Sequence, residues 1–315
     1  MTPQGCSRAA WRVDLAGWSR EATQGDPRAF CGLFQTAEQL GFDGVWFHEF
    51  RLLAEGGPYP SPLLLAAALL ARTERLRVGT QALVLPLHDP QLLAEELGQL
   101  HFQSEGRFDA GVGRGTDPQT LLALGIDPAS TRTRFEAGVD LLRERVPQVP
   151  LYAAGATPET LGFALSRELP LLLSLEPPEG TQLAHAQDWL QGQPSKALQR
   201  STIARYICIA PDAAGCEAIL QPLWHKLQAR RTHFALKRGV PPDEVPRIEP
   251  ERMLREQFIY GTPAQCFEQL QALRERTGLH HIRCVFNANG QLDNVQALAG
   301  MRLFAQEVLP ALRSA

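Results

Sequence analysis

Short apolar runs alternate along the whole chain with longer stretches whose apolar positions recur at helical spacing. The runs Arg12–Ala16, Gly44–Phe47, Leu76–Leu85, Arg107–Gly113, Pro150–Ala154, Leu169–Leu175, Ala204–Ile209 and Ile282–Phe286 predict eight strands. Several are apolar without interruption, as parallel strands buried on both faces require. Start signals for helices fill the gaps. A capping residue followed by proline stands at Asp26-Pro27, Ser61-Pro62, Asp89-Pro90, Thr157-Pro158 and Thr262-Pro263. Proline suits the first helical position because its missing N–H would have no partner there anyway. Pro211-Asp212 precedes a long helical stretch towards Phe234, and Asn294–Leu312 carries a last one.

Strand followed by helix, repeated eight times, predicts an α/β protein with a parallel sheet closed into a (β/α)₈ barrel. An open doubly wound sheet has the same periodicity, and only the count of eight separates the two. The 315 residues suit a single barrel domain over 1–315, with the proline- and charge-rich stretch 239–251 as a surface excursion before the eighth strand. The composition, 44% hydrophobic, is enough for a large core. A net charge of −3 gives no electrostatic reason for a nucleic-acid or anionic-membrane partner. The longest apolar run, Pro62 to Ala71, is too short to span a bilayer, and Met1 to Arg12 has no signal-peptide core, so a cytoplasmic location is expected. The six cysteines are scattered without a CxxC pair and read as reduced thiols.

Two segments suit an anion. Gly111-Val112-Gly113-Arg114-Gly115 follows a strand, where glycine lets backbone amides approach closely and Arg114 adds a forked donor. It is not a dinucleotide fingerprint, because Thr116 stands where the last glycine should be, and a tight turn at the end of a barrel strand is the plainer reading. Thr157 and Thr160 open a helix, whose first N–H groups and dipole favour negative charge; simple capping by Thr157 is the other reading. His48-Glu49 lacks the second histidine of a metallopeptidase, since position 52 is Leu52, and no metal-ligand spacing is present. His48, His88, His101 and His281 sit at or near strand ends or the helices that follow, where one barrel mouth could gather them. No GxSxG elbow is present to anchor a serine hydrolase.

In series, several stretches resemble the luciferase-like monooxygenase family: Ala37–Trp46, Ala71–Thr80, Leu85–Pro90, Leu93–Glu96, Gly106–Gly115, and the ending Phe304-Ala305-Gln306-Glu307-Val308-Leu309-Pro310. The resemblance implies a barrel that binds FMN, or alternatively the deazaflavin F420, at the C-terminal ends of its strands. It implies that Arg114, with Gly113 beside it, and the hydroxyls of Thr157 and Thr160 reach the flavin phosphate. It also implies that His88 matches a histidine of the Leu-Pro-x-x-His-Pro segment. Thr80 and Gln81 are further lining candidates. The family commonly reads Glu-His-His after the second strand, where the histidine is catalytic. Here Phe50 and Arg51 follow Glu49, and His48, His88 and His101 are the remaining candidates for proton transfer, with Arg51 placed to pair either with Glu49 or with an acidic substrate. Two further departures are a short link, Leu141–Val149, before the fifth strand and an uncommon polar loop from Trp18 to Gly25.

The expected activity is an FMN-dependent oxidoreductase, a monooxygenase using reduced flavin and O₂ on a small organic substrate, in a homodimer. A separate flavin reductase is expected, because no dinucleotide motif is present. The alternatives are a non-catalytic flavin-binding barrel, an F420-dependent dehydrogenase or reductase, and a barrel that serves only as a scaffold.

Overall fold

The computed structural model describes residues 10–18, 26–52, 61–115, 117–237 and 239–314. Cys6, Thr116 and most of the polar loop after Trp18 lie outside the described residues. The strands are β1 (Arg12–Leu15), β2 (Gly44–Phe47), β3 (Arg77–Thr80), β4 (Leu83–Val84), β5 (Phe108–Gly113), β6 (Leu151–Ala154), β7 (Leu171–Leu173), β8 (Thr202–Ile209), β9 (Phe258–Gly261) and β10 (His281–Val285). Every pairing is parallel. The order β1-β2-β3-β5-β6-β7-β8-β10 closes, because β10 pairs with both β8 and β1. The result is an eight-stranded parallel barrel with helices outside, and all eight predicted strands are in it.

Two strands were not anticipated. The run Leu76–Leu85 splits into β3 and the two-residue β4, which rejoins the sheet beside Val112 and Gly113. After the stretch 239–251, which is mostly exposed, the helix Pro250–Gln257 leads into β9. Tyr206 is matched to Val285 of β10 and to Phe258 of β9, so the two lie on opposite edges of β8. On β8 the short β7 reaches only Thr202 and Ile203, which leaves the later part of that edge for β9.

The helices start where the sequence signals them. Asp26, Asp89, Thr157, Thr262 and Asp293 each accept a first-turn N–H, and Thr262 with Gln265 completes a capping box. Such a cap contributes about 1 kcal/mol. The last helical stretch breaks at Val308 into Asn294–Glu307 and Leu309–Ser314. Among the described residues no helix is long and apolar enough to cross a membrane. Trp18 is fully buried, edge-on to Phe34, with its indole N–H on Asn294.

Strand alternation divides the core in two. Val13, Leu15, Val45, Phe47, Phe108, Ala110 and Val112 face outward and pack against the helices. Trp46, Tyr152, Leu172, Tyr206 and Val285 face the barrel interior. The same parity turns Arg12, Asp14, Arg77, Asp109, His281 and Arg283 inward, so the interior carries buried charge. Asp14 accepts from the Trp46 indole at 2.6 Å and lies 2.8 Å from His281 Nε2, with Arg12 at 2.7 Å. Asp109 takes Arg77 and a second contact from Arg12. Gly79 makes room for this layer: a Cβ there would stand 2.4 Å from the Trp46 ring.

Candidate functional site

The C-terminal ends of β2, β5 and β6 open on a cleft of about 380 Å³, a size typical of small-ligand pockets. Six predicted site residues line it together: His48 and Arg51 after β2, Gly113 and Arg114 at the end of β5, and Thr157 and Thr160 after β6. Parallel strands all finish at one end of a barrel, which is why residues so far apart in the chain meet there. Phe50 lines the same cleft, beside the His48 ring at 5.5 Å between centroids.

Arg114 is half-buried and makes no hydrogen bond or ion pair with the described residues. Across the cleft, Thr157 caps the helix Pro158–Ser166; its Oγ1 accepts from the Thr160 N–H and lies 3.1 Å from the Thr160 hydroxyl. Gly155 lets the chain double back onto this helix end, where a Cβ would stand 2.5 Å from the Thr160 methyl. Glu159, fully exposed, occupies the same helix end. Its carboxyl is held below the ordinary range, first by its own backbone N–H, then by Thr157 and by the charges of Arg132 and Arg114.

Glu49, with a fully buried side chain, organises the wall behind the cleft. It accepts from the Val84 N–H at 2.8 Å, from His88 Nε2 at 3.0 Å and from Arg51 at 2.7 Å. Burial pushes the Glu49 carboxyl up, but the hydrogen bond and charge of His88, the Val84 N–H and the Arg51 charge outweigh it, and its pKa is lowered. Arg51 is therefore a cleft residue whose charge is already partnered, and His88 stands behind the cleft as a support for Glu49.

Four other predicted residues are placed differently. The Thr80 hydroxyl is spent on the Gly111 carbonyl at 2.8 Å, tying β3 to β5, and the side chain is fully buried. Gln81 lies beneath the cleft, bridging His48 and Arg283. His101 is in the last turn of the helix Pro90–Gln103, which leads into the start of β5. That is the opposite end of the barrel, so His101 is not at the mouth. His281, at the start of β10, belongs to the buried Asp14 layer and is not at the mouth either.

Arg283 escaped the sequence reading. An arginine inside the apolar run Ile282–Phe286 was its only signal, and nothing in the pattern said that it faced inward.

A closed parallel barrel with an anion-suited cleft at its C-terminal mouth defines the structural class. The family model of the luciferase-like monooxygenases matches residues 13–281, and the chain belongs to that family. It is similar to the alkanal monooxygenase alpha chain of the Kryptophanaron alfredi symbiont, at 26% identity over 89% of this chain and 91% of the relative. Among solved structures it is similar to monooxygenase RslO1 from Streptomyces bottropensis, with a TM-score of 0.76 and 22% identity over 95% of this chain and 99% of that one. It is also similar to the oxygenating constituent of 3,6-diketocamphane monooxygenase of Pseudomonas putida, a complex with FMN, with a TM-score of 0.67 and 17% identity over 96% and 99% of the two chains.

Proposed function

We propose that this protein is an FMN-dependent monooxygenase that binds the flavin by its phosphate in the cleft between Arg114 and the Thr157–Thr160 helix end, and oxidises a small organic substrate with O₂. The observation that carries this reading is the half-buried Arg114, which makes no hydrogen bond or ion pair with the described residues and faces a helix N-terminus across the same cleft. A guanidinium, two hydroxyls and the first N–H groups of a helix form a donor set suited to a phosphate dianion. The structural relative from Pseudomonas putida is a complex with FMN, which supports the choice of flavin.

When bound, the reduced flavin supplies the electrons that activate O₂. Arg114, Thr157 and Thr160 would hold the phosphate, Phe50 and the strand ends would help to keep water out of the cleft, and the Arg51–Glu49 pair and His48 line the space left for a substrate. Titration with FMN and F420, followed by O₂ uptake with reduced FMN and a set of small ketones and aldehydes, tests the reading. FMN should bind more tightly than F420, and at least one carbonyl compound should be converted to an oxygenated product. Failure to bind FMN would contradict it. Oxidised FMN–protein mixed anaerobically with NADH or NADPH should keep its flavin absorbance, because a separate reductase is expected to deliver the reduced flavin. Bleaching on a turnover timescale would refute that expectation.

Glu159 sets a second test. Its carboxylate holds the helix end to which the phosphate would be drawn, and it competes for the Arg114 charge. Glu159→Gln keeps the shape and removes the competitor, so FMN should bind severalfold more tightly and riboflavin, which lacks the phosphate, should be unaffected. Weaker FMN binding in this variant would contradict the phosphate position.

A further inference from the structure

A buried guanidinium lies directly beneath the cleft. Arg283 is at the middle of β10, only 4% exposed, with its side chain turned into the barrel. Its Nη1 donates to Gln81 Oε1 at 2.6 Å and its Nη2 to the Leu173 carbonyl at 2.5 Å. It thus crosses the interior from β10 to the C-terminal ends of β3 and β7. Among the described residues no carboxylate is within ion-pair distance of it. Burial pushes its pKa down, with the Asp14 charge opposing, to about 10, so it remains a cation at neutral pH. The other amide atom of Gln81, Nε2, lies 3.2 Å from Nε2 of His48, the first residue after β2.

Among the described residues, the donors and acceptors around Gln81 admit one consistent arrangement. A guanidinium has only donors, so Gln81 must turn its oxygen to Arg283. Its N–H then faces His48. A ring nitrogen that receives an N–H must be bare, and in a neutral imidazole the single proton is then on the other nitrogen. Reversing Gln81 would set its NH₂ against the guanidinium and leave a buried N–H without an acceptor.

We propose that Arg283 is a positioning residue that acts through Gln81 to fix His48 as the tautomer protonated on Nδ1. His48 then works as a hydrogen-bond donor at Nδ1, and its Nε2 is withheld from service as a base. This refines the role of His48 in the proposed function, and rests on that function only for the chemistry the ring would serve. The tautomer itself belongs to the protein without flavin or substrate.

The test is therefore made on the protein alone. Protein labelled with ¹⁵N-histidine is examined by two-bond correlations between ring protons and ring nitrogens, at a pH where the imidazole is neutral. His48 is assigned by the signals missing in His48→Asn. The expected result is a protonated Nδ1 and a bare Nε2. Gln81→Glu should reverse it, because a carboxylate bound to Arg283 demands an N–H from His48, and the proton should move to Nε2. Should that variant fail to fold, Arg283→Met decides on the same terms: a mixture of tautomers supports the lock and an unchanged spectrum overturns it. A proton on Nε2 of His48 in the wild-type protein would overturn the proposal outright, as would a Gln81→Glu spectrum identical to wild type. None of these outcomes depends on FMN binding, so failure of the flavin assignment would be seen separately, in the FMN titration.

Discussion

Replacing Asp14 by alanine is expected to destabilise the protein by about 3–5 kcal/mol, the range for breaking a buried charge pair by removing one partner. Asp14 has no exposed surface and holds three groups at once: the Arg12 guanidinium, the Trp46 indole N–H and His281. Its loss leaves Arg12 with Asp109 alone and strands the Trp46 N–H inside the barrel. Against a typical domain stability of roughly 5–15 kcal/mol, the loss is a large share. The melting temperature should fall on the order of 10 °C. Asp140→Ala is the control. Asp140 pairs with Arg167 at the surface, half exposed, where such pairs contribute about 0–1 kcal/mol. Equal melting temperatures for the two variants would contradict this account of the interior.

The same layer sets the response to acid. Burial lowers the His281 pKa despite Asp14, so the unfolded chain takes up this proton first, and stability should begin to fall as pH drops below about 6.5. The Asp14 carboxyl is raised by burial but pulled well below the ordinary carboxylate range by Arg12 and His281. Its contribution is complete above the unfolded value of about 3.9 and is lost only at lower pH.

How much of this was legible in the chain depends on the kind of signal. The eight barrel strands were, because each is a run of residues bounded by helix start signals, and Asp-Pro and Thr-Pro pairs mark where the helices begin. β9 was not. Its four residues, Phe258–Gly261, are too short to stand out between the charged helix Pro250–Gln257 and the capped helix that follows. The polar interior was also hidden. Arg12, Asp14 and Asp109 look like interruptions of apolar strands until the barrel closes and turns them onto one another.

Much of the cleft was readable, since residues at strand C-terminal ends must converge. His101 was misassigned although the order of elements contained the answer: a residue at the end of a helix that precedes a strand lies at that strand's start, away from the mouth. The link between Arg283, Gln81 and His48 joins three strands across the interior, and no local pattern carries it.

The largest functional effect is expected from Arg114→Ala. Losing one charge-assisted contact to a phosphate costs about 1.5–3 kcal/mol, which corresponds to roughly tenfold to hundredfold weaker FMN. Arg114 is a cleaner probe than Thr157, whose removal would also uncap its helix. No partner among the described residues is left stranded when Arg114 is shortened. The decisive measurement is a fluorescence titration of the wild-type protein and Arg114→Ala, each with FMN and with riboflavin. Phosphate binding at Arg114 predicts a loss of tenfold or more for FMN and little change for riboflavin. Equal losses for the two flavins, or none for FMN, would contradict it.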